Sequence, residues 1–170
     1  MKKMVCAALL AALGAVSATA AESFQVSYWF GVPDSTVDST VEGLKLGLPI
    51  SSGNGLVDGA EIGITGSTTA NIDGFQWCLV GPSWAKTVDG MQFSWANFAE
   101  KSMSGVQLAF FNFSNQGGIQ IGLFNNSNDN AEYQFGLLNF NTNGWFPFMP
   151  FFNMAGEKQP EIAAAGETAE

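Results

Sequence analysis

One phrase recurs along this chain, and it constrains the fold more than any other feature. Its clearest copy is Gly118-Ile-Gln-Ile-Gly-Leu-Phe-Asn125. It returns at 105–112, 132–139, 90–97 and 74–81, and in weaker form at 59–66 and 43–50. The third position reads Lys45, Glu61, Gln76, Gln92, Gln107, Gln120 and Gln134, at steps of 16, 15, 16, 15, 13 and 14 residues. Two positions later stands a small residue each time: Gly47, Gly63, Cys78, Ser94, Ala109, Gly122, Gly136. Asn97, Asn112, Asn125 and Asn139 close the last four copies. Self-similarity at a fixed period is the signature of a stacked array, in which each unit packs mainly on its neighbours.

Within a copy, apolar and polar residues alternate. Val106, Leu108 and Phe110 point one way, and Gln107 and Ala109 the other. Period 2 with apolar residues on one side indicates a strand half-buried by its apolar face. The connectors carry Asp58-Gly59, Asp73-Gly74, Asp89-Gly90 and Ser104-Gly105, residues that tolerate turn geometry. No later segment has helical periodicity. Phe24 to Val32 reads as an opening strand outside the repeat. The block from Trp145 to Asn153 keeps the spacing, since Asn153 falls 14 residues after Asn139, but puts Phe148 and Pro150 in the two columns. Proline belongs on a sheet edge, so this block reads as the cap of the array.

The expected class is all-β, a β-solenoid-like stack of seven repeats over about 43–141. Stacked copies would set the Gln residues in an outward amide ladder, with Asn at a corner and small residues beside it. The alternative is an antiparallel meander or small β-barrel, since strands of this length also suffice to cross an outer membrane.

The two ends carry different information. Lys2 and Lys3, an apolar run from Met4 to Val16, and Ala18-Thr19-Ala20 form the pattern of a secretory signal peptide over 1–20. Cleavage after Ala20 would leave four lysines against fifteen acids, a formal charge of −11, and one cysteine, Cys78. Such a chain must hold itself together without an internal disulfide. Residues 154–170 are acidic and read as a solvated tail.

Composition excludes several chemistries. There is no His and no Arg. No Ser-His-Asp triad, His-ligated zinc site or arginine clamp can be assembled from this chain. An acidic chain without Arg is poorly suited to nucleic acid. No catalytic, metal-binding or cofactor-binding residues are assigned.

The Gly-x-Gln-x-Gly-Leu-x-Asn phrase, the opening Val26-Ser-Tyr-Trp-Phe strand and the closing aromatic and proline block resemble a family of bacterial surface-repeat proteins. The resemblance covers Phe24 to Asn153. It implies placement at the cell envelope, and it carries no catalytic residues to this chain.

Each remaining candidate has a structural and a functional reading. Cys78 reads as a small filler in its column, or as a thiol activated by Lys86. The Asp-Gly pairs read as turns or as weak calcium loops, with Asn126 to Asn130 the best calcium candidate and an exposed turn as its plain alternative. Asn112-Phe-Ser114 and Asn125-Asn-Ser127 match the glycosylation triplet, which the repeat column already explains. Trp77, Phe93 and Trp95 read as core, and Trp84 as an exposed connector aromatic. The expected function is a non-enzymatic exported envelope or surface protein with a structural or binding role and an unknown surface partner. A small outer-membrane barrel is the alternative, and a secreted hydrolase with paired carboxylates ranks third.

Overall fold

The computed structural model describes residues 21–156, so the signal-peptide reading of 1–20 and the tail beyond Gly156 lie outside the described residues. The chain runs β1 (Glu22–Ser27), a short 3-10 turn (Asp34–Thr36), β2 (Val41–Gly47), β3 (Ile50–Gly63), β4 (Gly66–Cys78) and β5 (Pro82–Phe93). It continues through β6 (Ala96–Leu108), β7 (Phe111–Gln116), β8 (Ile119–Ile121), β9 (Phe124–Asn130), β10 (Tyr133–Asn141) and β11 (Phe148–Met154). From β1 to β10 every pairing is parallel. The protein is a β-solenoid, and the meander or barrel alternative is not what it forms. Only β11 runs antiparallel, against β10, and closes the stack.

Register follows the repeat. Gln25, Lys45, Glu61, Gln76, Gln92, Gln107, Gln120 and Gln134 stand one above the next, in eight coils. The opening strand is therefore a coil of the array and not an element outside it. Its 20-residue step to Lys45 hid it, because the connector holds the 3-10 turn. Regular strand stops at Ser27, short of Val32, and residues 29–32 form a tight turn closed by a Trp29–Val32 bridge. At the other end Met154 still belongs to β11 and Ala155 bridges Gly144, so ordered structure enters the segment read as tail.

The faces are the reverse of the expectation. The Gln column points inward and is fully buried from Gln76 to Gln134. Val106, Leu108 and Phe110 point outward, and Trp95 and Phe110 are 56% and 47% exposed. The reason lies in the column that shares the Gln face. A Cβ at Gly63 would stand 2.0 Å from the Gly66 carbonyl oxygen, and one at Gly122 2.2 Å from that of Ala109. Only small residues fit there, so this face must be the tight interior, and the bulky rings are left outside. Asn and Gln can enter because in-register stacking satisfies their amides.

The contiguous apolar cluster of the interior is one strip: Val41, Val57, Ile72, Val88 and Met103, with Ala85 and Ala99 beside them. At the adjoining corner Gly59, Gly74, Gly90 and Gly105 take φ between +124° and +137°. A Cβ at Gly90 would lie 2.0 Å from the Gly74 carbonyl oxygen, so the stacked backbones leave no room for a side chain. The Asp-Gly pairs thus lie within β3, β4 and β5, at a corner where glycine bends the strand, and not in connectors; their Asp side chains face solvent.

Candidate functional site

Two amide ladders fill the interior. Gln134 Nε2 donates to Gln120 Oε1 at 2.7 Å, Gln120 to Gln107 at 2.9 Å, Gln107 to Gln92 at 2.8 Å and Gln92 to Gln76 at 2.7 Å. Gln76 then donates to Glu61 Oε2 at 2.7 Å. Each Gln gives its second N–H to a backbone carbonyl across the coil, such as that of Phe113 for Gln107. The Asn ladder runs the other way: Asn97 donates to Asn112 at 3.1 Å, Asn112 to Asn125 at 2.9 Å and Asn125 to Asn139 at 2.7 Å. Chains of amides aligned in this way polarise one another in a low-dielectric interior.

Asn153 does not join the Asn ladder. The reversal of β11 places it opposite Gln134, and its Nδ2 donates to the Phe146 carbonyl. In the first coils Ser51, Ser67 and Ser83 hold the positions that Asn97 to Asn139 occupy later. Reading the repeat missed these serines, although their 16-residue steps carry the signal. Gly47, Gly63 and Cys78 stack in register, and Ser94, Ala109, Gly122 and Gly136 follow their glutamines at the same two-residue distance.

The N-terminal rungs are charged. Glu61 is fully buried and accepts from Ser51 Oγ, Thr69 Oγ1 and Gln76 Nε2. Lys45, its neighbour in the column, is also fully buried, and its Nζ has no hydrogen-bond partner. Burial pulls the Lys45 pKa below its usual value, against the opposing pull of the Glu61 and Glu22 carboxylates. Gln25 Oε1, one rung further, is a second buried atom without a partner.

Cys78 is buried, and burial pushes its thiol pKa up. Its sulfur accepts from Gly81 N and donates to the Ile64 carbonyl, so the filler reading holds. Asn112 and Asn125 are fully buried ladder members, which leaves no access for a glycan. Asn126 to Asn130 lie in β9 and do not form an exposed turn. Among the described residues no group of three or more Cys, Asp or Glu could hold a metal ion.

The outer surface carries what the interior excludes. A groove of about 530 Å³ runs along the outside. One wall is the row Trp77, Phe93, Leu108 and Ile121; the other is Leu79, Trp95, Phe110 and Leu123; the floor is the small column. Trp77, Phe93 and Trp95 therefore pack against one another's coils on the outside and are not core. Trp77 and Phe93 approach to 6.1 Å between ring centroids, Trp95 and Phe110 to 5.0 Å. Ser94 Oγ turns inward to Asn97 Oδ1 and the Ala96 carbonyl, leaving the floor without a free hydroxyl. A second ring row climbs the opposite strands, with Phe98 and Phe113 stacked at 4.9 Å and 3° and Phe140 against Phe148 at 4.9 Å. Trp84 belongs to this row, in β5 and in register with Phe98, and not to a connector. Glu42, Asp58, Asp73 and Asp89 form an acidic column along the margin beyond the glycine corner. No family model, curated protein or solved structure matches the chain.

Proposed function

We propose that this is a non-enzymatic, exported envelope or surface protein whose role is structural or binding. The observation that carries the reading is the inversion of the coil. The amides of both ladders are engaged with one another inside, while rows of aromatic and aliphatic side chains are held outside at fixed spacing. Exposed apolar rows of this extent mark contact surfaces. A solenoid presents such rows at the strand repeat of about 4.8 Å, which suits a long regular partner or lattice. The pattern at 1–20 adds the expectation of export.

Cell fractionation tests the reading. The full chain should stay with the envelope, and mild non-ionic detergent should release it still folded. Phe98→Ser with Phe113→Ser should lower that retention several-fold while keeping the strand spectrum, at the cost of the small stability of one stacked ring pair. Quantitative recovery of the parent protein in the soluble fraction would overturn the reading.

A further inference from the structure

We propose that the outward face of the Gln-bearing strands is a self-association surface, on which a second copy of this chain docks about a two-fold axis parallel to the solenoid axis. The inference rests on reading the apolar exterior as the working surface, and it adds the partner and the geometry.

Three observations carry it. The first is area. The face spans eight strands in one direction and the residues from Phe75 to Leu79 in the other. At about 4.8 Å per strand and about 3.3 Å per residue, that is roughly 38 Å by 17 Å, or about 1,300 Å² over two copies, within the range of stable protein interfaces. The second is relief. The row containing Phe93 and Leu108 stands proud of a groove floored by Ala109 and Gly122. Two such surfaces related by a two-fold axis seat the row of each in the groove of the other, as an isologous contact requires. The floor offers no free side-chain hydrogen-bonding group and the row is apolar apart from the Trp77 indole N–H, so docking desolvates little polar surface at the centre.

The third is charge, which selects the axis. Glu42, Asp58, Asp73 and Asp89 line only one margin of the face. A two-fold parallel to the solenoid axis sends the two acidic margins to opposite sides. A two-fold running along the strands would bring them side by side, setting the four acids of one copy against the four of the other. The parallel axis also places each coil beside the same coil of the partner.

Two measurements test this. In analytical ultracentrifugation at micromolar concentration, residues 21–170 should sediment as a dimer. Leu108→Lys should weaken self-association at least tenfold while keeping the strand spectrum. Disulfide trapping in a Cys78→Ala background then reads the axis. Ile121→Cys alone should give a covalent dimer, because coil 7 meets coil 7. A monomeric parent protein would overturn the proposal, as would an open-ended assembly. Trapping of Ile121→Cys only when mixed with Leu46→Cys would overturn the axis, since that pairing belongs to the other two-fold. Failure of envelope retention in cells bears on the function above and leaves the purified dimer standing, so the two failures are distinct.

Discussion

The two halves of the solenoid use one backbone template and fill it differently. From Gln92 to Gln134 the interior is a double amide ladder, and nearly every rung both donates and accepts. From Gln25 to Glu61 the same column holds a lysine and a carboxylate, and serines stand where asparagines stand later. Unpartnered buried atoms mark the difference: Gln25 Oε1, Lys45 Nζ and Ser83 Oγ sit in the first half of the stack. The C-terminal half has one on its ladder, Gln134 Oε1, where the antiparallel cap ends the column. A parallel stack thus tolerates any rung that fits the width. Only identical neighbouring amides complete one another.

The comparison breaks most visibly at the Asn ladder. Asn112→Leu removes the donor to Asn125 Oδ1 and to the Ile121 carbonyl and the acceptor for Asn97. Leaving such groups unpaired should cost about 2–5 kcal/mol. Ser67→Ala, in the matching column of the N-terminal half, loses only the bond to the Trp77 carbonyl and should cost about 1 kcal/mol. Urea unfolding of both variants checks the ratio.

Lys45 sharpens the contrast from the other side. Its folded-state pKa lies below the usual lysine value, so the unfolded chain holds that proton more tightly. Stability should therefore rise with pH from the folded pKa up to about 10.4 and level off above it. Lys45→Met should remove that slope and stabilise the protein at neutral pH by about 1–3 kcal/mol, because the desolvation of the buried ammonium outweighs the attraction of the Glu61 and Glu22 carboxylates. Unfolding followed as a function of pH reads both effects.

A smaller gain is expected from extending the regular half. Ser83 stands in register with Asn97, and its hydroxyl has no partner. Ser83→Asn should add one rung by donating to Asn97 Oδ1, worth about 1 kcal/mol in thermal unfolding. Loss of stability instead would show that the bulk of Cys78 closes the space that Ser94 leaves open beside Asn97.

Much of this was legible in the residues. The period, the parallel stack, the Gln and Asn columns and the closing block all follow from columns spaced 13 to 16 apart. The inside and outside were misassigned, for a physical reason. Alternation at period 2 separates two faces but does not say which is buried, and the usual assumption buries the apolar one. The deciding signal was present in Gly63, Ala109 and Gly122, small residues on the Gln face that mark it as the tight one. Lys45 and Glu61 were visible as column members, but two charges in a column give no hint of complete burial. Asn153 kept its sequence spacing while its strand reversed, and spacing alone does not reveal direction.

One pair of adjacent substitutions tests the inversion of inside and outside most directly. Gln107→Leu and Leu108→Gln exchange character at neighbouring positions of β6. Gln107→Leu should destabilise by several kcal/mol, since it orphans Gln92 Oε1 and the Phe113 carbonyl, whereas Leu108→Gln should change stability by less than about 1 kcal/mol. The reverse order in urea unfolding would place the apolar row inside and contradict the structure described.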